Sequence, residues 1–142
     1  MNRNRAIAPS SNSQAASPQT ITAETCCQQG KAHCQAGEFA AALAAFDQAI
    51  ALDPRHAPAH NNRGNALGEL QRQAEALAAY ERALALAPTY HRAWFNKGQL
   101  LTQLGAYGNA LEAYGQAIQL QPDPIYLHAQ AAIWQNRKLV TA

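Results

Sequence analysis

Neither sign of charge dominates this sequence. The formal net charge of +2 comes from Arg3 and Arg5, and from Ala23 onward nine basic residues stand against nine acidic ones. A nucleic-acid-binding surface shows a basic stripe; none is present, so nucleic acid is not an expected partner. Long apolar runs are missing too. No segment reaches the ~20 residues that cross a bilayer, and no apolar stretch follows Arg3 and Arg5 as a secretory signal would require. Cysteine is confined to Cys26, Cys27 and Cys34. An odd set on one predicted helix argues against a disulfide framework and for a reducing cytosol, so a cytoplasmic location is expected.

Catalytic signatures are also lacking. There is no phosphate-cradling glycine loop, no nucleophile elbow, and no His pair with Glu at metalloprotease spacing. The chain reads as a non-enzyme with no cofactor and no metal. Cys26, Cys27, His33 and Cys34 form the one cluster to weigh, but their spacing is not the Cys-x-x-Cys of structural zinc. Cys27 and Cys34 share a helix face two turns apart, about 10 Å by the helical rise. They read as ordinary thiols, with a redox or metal site as a distant third reading of the protein. His60, His91 and His128 fall on different helices and read as packing or surface residues.

What the sequence does have is alanine and a period. Of the 48% hydrophobic residues much is Ala, the best helix former and one that lets helices approach closely, so the composition leans all-α. Trp94, Gly98, Leu101, Gly105, Ala110, Tyr114, Ala117 and Pro122 have counterparts 34 residues earlier at His60, Gly64, Leu67, Gln71, Ala76, Tyr80, Ala83 and Pro88. A further step back gives Cys26, Gly30, His33, Gly37, Ala42, Phe46, Ala49 and Pro54. Three tandem copies at one period mean a repeat architecture.

The spacing within a copy resembles the tetratricopeptide repeat, whose signature is carried most fully by Trp94, Gly98, Leu101, Ala110, Tyr114, Ala117 and Pro122. The resemblance covers residues 23–124 and implies an all-α, right-handed α-solenoid of three helix-turn-helix repeats plus a C-terminal capping helix. Residues 1–21 read as a disordered tail, poor in apolar anchors. They are followed by repeats over 22–56, 57–90 and 91–124, then by residues 125–142 as a capping helix or the start of a fourth repeat. Thr20 or Thr22 caps the first helix, which runs to about Ala36. Phe39 opens the second, and Pro54 stops it. The later pairs are expected at 57–70 with 73–86 and at 91–104 with 107–120. Departures at Cys26 and His33, and at His60, Gln71 and Gln73, suggest looser packing or a less regular turn there.

In this family the first helices line a concave groove. One position on them reads Gln28, Asn62, Asn96 and Gln130, at intervals of 34. Carboxamides both donate and accept, which suits the backbone of an extended peptide and resembles the asparagine ladder of other arrays of the family. The positions of the family's carboxylate clamp read Cys27, Lys31, Asn62, Arg92 and Asn96. Asn62 fits, Arg92 fits by charge, and Lys31 adds a cation one turn away, which leaves a preference for acidic peptides without a full clamp. Asn61, Asn65, Phe95 and Gln99 complete the expected groove, Phe95 either stacking on ligand or packing on its neighbour. Lys97 adds modest charge selection, and the long stems of Arg63 and Lys97 let them snorkel. The resemblance thus implies a protein-interaction module, an adaptor, scaffold or assembly factor that holds an extended protein segment. The competing reading is a structural protein that forms homo-oligomers through an exposed flank at Ile125, Leu127 and Trp134.

Gly30, Gly64 and Gly98 lie inside first helices, where Gly costs about 1 kcal/mol relative to Ala. The resemblance places helix-helix contact there. Gly98→Leu should therefore lower the melting temperature through overpacking, by about 1–3 kcal/mol of stability; an unchanged thermal melt would show the pairing to be wrong.

Overall fold

A computed structural model describes residues 20–140, with side chains through residue 137. The assigned tail lies, up to residue 19, outside the described residues. Seven helices follow one another: α1 (Ala23–Gln35), α2 (Phe39–Leu52), α3 (Ala57–Glu69), α4 (Gln73–Leu86), α5 (His91–Gln103), α6 (Tyr107–Leu120) and α7 (Pro124–Val140). No strand occurs among the described residues. Each helix packs on the next, and α1, α3, α5 and α7 also touch in succession, whereas α2, α4 and α6 do not touch one another. The row of first helices therefore forms the inner side of a curved α-solenoid.

Within each pair an aromatic ring of the second helix lies over a glycine of the first. A Cβ on Gly64 would come 2.6 Å from the Tyr80 ring and one on Gly98 2.6 Å from the Tyr114 ring, while Gly30 faces Phe46 in the same way. Phe46, Tyr80 and Tyr114 are all buried, each such side chain contributing about 1.5–3 kcal/mol. The repeated glycine is thus a seat for a ring.

Helix ends follow local chemistry. Thr22 caps α1 reciprocally with Thr25, its hydroxyl accepting from the Thr25 N–H at 3.1 Å while the Thr25 hydroxyl accepts from the Thr22 N–H at 2.9 Å. Between the helices of each pair the chain reverses through one backbone motif: Gly37 N–H donates to Cys34 O and Glu38 N–H to His33 O, with the same two bonds at Gln71/Arg72 and Gly105/Ala106. This is a Schellman closure, and it needs a left-handed residue. Gly37 and Gly105 supply it at φ 75° and 77°, and Gln71 at φ 60°. The expectation of a less regular second turn is corrected here. The hydrogen bonds hold Gln71 in the same geometry, and the departure appears as backbone strain instead.

His60 is accommodated similarly. Trp94 donates its ring N–H to Pro88 O at 2.9 Å, and His60 Nε2 lies 2.9 Å from Pro54 O. A carbonyl only accepts, so Nε2 carries the hydrogen. Both rings tie a first helix to the proline that ended the helix before it. Ion pairs repeat across the same joints: Arg63 meets Asp47 at 2.6 Å and Lys97 meets Glu81 at 3.8 Å. At the far end α7 is anchored by the buried Tyr126 and Ile133, while Ile125, Leu127 and Trp134 are exposed.

A side chain in the left-handed region costs about 1–2 kcal/mol that glycine avoids. Gln71→Gly should raise stability by about 1 kcal/mol in a denaturant melt, and a loss of stability would show the turn to be unstrained.

Candidate functional site

The inner face holds two adjoining concavities. One, of about 620 Å³, is bordered by Glu24, Pro58 and Arg92 near the N-terminal ends of α1, α3 and α5; the other, of about 610 Å³, is bordered by Gln35, Glu69 and Gln103 at their C-terminal ends. Lys31, Asn62, Asn65 and Asn96 line both, so the two form one groove. Helical spacing explains this: positions 34 apart return to the same face of successive first helices.

Nine of the ten residues expected in the groove border it. Gln28, Asn61, Arg92 and Phe95 line the first concavity and Gln99 the second, beside the four shared residues. Gln130 borders neither. Lys97 is placed elsewhere: it borders a separate recess of about 350 Å³ with Glu81, Trp94 and Leu101, its ammonium 5.5 Å from the Trp94 ring. Its expected part in charge selection is corrected accordingly, since Glu81 and the indole hold the side chain at the joint between α4 and α5.

The residues brought together do not play equal parts. Asn61 is only 3% exposed and works behind the surface: its Oδ1 accepts from Asn96 Nδ2 at 3.0 Å, and its own Nδ2 donates to Asn62 Oδ1 at 3.4 Å and to the Tyr90 hydroxyl at 3.5 Å. Asn62 Nδ2 donates to Cys27 Sγ at 3.5 Å, and the Tyr80 hydroxyl donates to Asn65 Oδ1 at 2.7 Å. These bonds fix what faces the groove. Asn96 keeps its carbonyl free to accept, and Asn65 keeps its NH2 free to donate. Phe95 takes the packing alternative, stacked on Tyr126 with centroids 4.5 Å apart and tilted against Tyr114 at 5.6 Å.

Charge in the groove is also asymmetric. The Glu24 carboxylate accepts from Gln28 Nε2 at 2.6 Å and meets His56 Nε2 at 3.1 Å; the Gln28 bond, then His56, lowers its pKa. Asp123 Oδ1 accepts from the Ile125 N–H at 2.8 Å, at the start of α7. Both acids are engaged internally. Lys31 and Arg92 have no ion pair among the described residues.

Sequence reasoning missed Tyr90 and Tyr126 in this wall. Tyr90 stands just before α5, outside the helical spacing that marked the others, and Tyr126 is tied to His91 Nδ1 at 2.8 Å across α5 and α7. Burial raises the pKa of both. Among the described residues no three His, Cys, Asp or Glu side chains come together as a metal site, and no helix is long and apolar enough to cross a membrane.

Two family models, both of the tetratricopeptide repeat, match the sequence, one over residues 27–91 and one over 65–133. No curated protein matches it. Among solved structures, that of MamA is similar at 25% identity and a TM-score of 0.76, covering 88% of this chain and 72% of that one. The first repeat domain of Spaghetti (RPAP3), bound to the HSP90 peptide SRMEEVD, aligns at 21% identity and a TM-score of 0.79, over 82% and 94% of the two chains. The repeat domain of Sgt2 from Aspergillus fumigatus aligns at 20% identity and a TM-score of 0.79, over 84% and 81%.

Burial raises the pKa of Cys27 and of Cys34, and Cys34 is the less buried of the two. Both thiols therefore stay protonated at pH 7, and alkylation requires thiolate. Iodoacetamide at neutral pH should label Cys34 slowly and Cys26 and Cys27 only on unfolding; rapid labelling of Cys27 in the native protein would contradict this packing.

Proposed function

The chain belongs to the tetratricopeptide repeat family, and from that premise we propose that it is a non-enzymatic protein-interaction module whose groove holds an extended, acidic protein segment. The observation that carries this is the pairing of two uncommitted cations, Lys31 and Arg92, with the fixed amides of Asn62 and Asn96 in one concavity. Amides serve the ligand backbone, and the cations select carboxylates at short range. The three unpaired thiols suit a reducing cytosol. Support comes from a structural neighbour that binds the acidic peptide SRMEEVD, although here Cys27 occupies one clamp position, so the carboxylate contacts rest on Lys31 and Arg92. An adaptor or assembly role follows from such a groove.

A second reading has its own observation: Ile125, Leu127 and Trp134 are 64%, 48% and 52% exposed. Such a flank supports self-association. Sedimentation separates the two, because a groove binder keeps its monomer mass over a hundredfold range of concentration.

Selection from random twelve-residue peptides displayed on phage should enrich Asp and Glu. The double variants Lys31→Glu/Arg92→Glu and Asn62→Ala/Asn96→Ala should each weaken the selected peptides about tenfold or more, the scale of a charge-assisted hydrogen bond, and wild-type binding should fall as salt rises. Equal binding by wild type and both variants, with melts unchanged, would remove the groove from the function.

A further inference from the structure

Two amides of the inner face are tied to the preceding first helix by the same interval. Asn62 Nδ2 donates to Cys27 Sγ at 3.5 Å and Asn96 Nδ2 to Asn61 Oδ1 at 3.0 Å, each reaching back 35 residues. At that interval Gln130 has Phe95, which carries no side-chain acceptor, and Gln130 borders neither concavity. Cys27, Asn61 and Phe95 hold the position behind the groove in α1, α3 and α5, so only the middle helix has an amide there.

That amide joins the two ties into one relay. Asn96 donates to Asn61, Asn61 Nδ2 to Asn62 Oδ1 at 3.4 Å, and Asn62 to Cys27, so donation runs from α5 through α3 to α1. Turning Asn61 over would set its oxygen against the Asn62 oxygen and its NH2 against that of Asn96, acceptor to acceptor and donor to donor. Asn61 is only 3% exposed, so water does not replace either partner. Its orientation is therefore fixed, and it fixes Asn96. At the head of the relay Asn96 is half-buried, with its NH2 held from behind and its oxygen free toward the groove. Bonds in such a chain polarise one another, which makes that oxygen a better acceptor than one on an isolated amide. A carboxamide left to turn serves a backbone N–H or a backbone carbonyl equally; one held in this way meets the ligand oxygen first.

We propose that Asn61 is a positioning residue: by holding Asn96 oxygen-outward it makes the groove require a backbone N–H at one position of the bound segment, and so excludes proline there. The inference rests on the groove reading above. Asn61 itself stays behind the wall and touches no ligand; its effect passes entirely through Asn96.

The test uses the full chain and the phage-selected peptides, resynthesised with one backbone amide at a time replaced by an ester, which exchanges the N–H for an oxygen. Wild type should bind the ester about fivefold to tenfold more weakly than the amide at one position, the loss of one hydrogen bond, and the selected sequences should lack proline there. In Asn61→Leu, of similar volume but without an acceptor, Asn96 is free to turn, and the ester should bind nearly as well as the amide at that position. Asn61→Asp keeps an oxygen for Asn96 and should keep the ester penalty. Because each ratio compares two peptides on one protein, a general loss of stability or affinity does not change it. A penalty of the same size in Asn61→Leu, with melts unchanged, overturns the positioning role. A wild-type scan with no ester-sensitive position overturns it without any variant, while enrichment of Asp and Glu would leave the groove reading standing. No peptide selected by wild type overturns both.

Discussion

Everything in this solenoid depends on a ring resting on a glycine. Phe46, Tyr80 and Tyr114 each close the gap between the two helices of a pair, and each can do so because the facing residue has no side chain. With so much of the core contributed by Ala, a few aromatic rings carry a large share of the buried apolar area. The spacing of ring and glycine then fixes how far one helix is shifted along its partner, and with it the register in which successive first helices meet.

That register is what makes a groove. Once the first helices lie side by side, residues 34 apart share a face, and the inner wall becomes rows rather than scattered points. His60 and Trp94 show how the rows are held. Each ring N–H reaches back to a carbonyl at the end of the previous helix, and the Asp47–Arg63 and Glu81–Lys97 pairs cross the same joints. A histidine can replace the tryptophan because the tie needs one N–H at the right place more than it needs the larger ring. Gln71 can replace glycine because two backbone hydrogen bonds outweigh the strain of one residue.

Charge and amides in the groove show the difference between a residue's presence and its availability. Glu24, Asp123 and Lys97 are as charged as Lys31 and Arg92, yet internal partners occupy them. Asn61 and Asn62 are neighbours in sequence, but one is buried and orients the other. The proposed preference for an acidic segment rests on this sorting, since the net charge from Ala23 onward is zero.

By itself the sequence determined the period, the helix pairs to within a residue or so, and the terminating prolines. These follow from local propensity and from spacing, and both are properties of the chain read in order. The expected groove residues come from the resemblance to the tetratricopeptide repeat, whose first helices line a groove, and the 34-residue interval carries positions from one helix to the next. Only the tertiary structure decided that Phe95 packs on Tyr126, that Lys97 belongs to a joint, that Tyr126 and Ile133 anchor α7 while Ile125, Leu127 and Trp134 stay exposed, and that Gly68 faces open space. Each of those outcomes depends on which partner, if any, a side chain meets on a neighbouring helix. Spacing assigns a residue to a face, but only packing settles whether its hydrogen bonds and charge are already satisfied there.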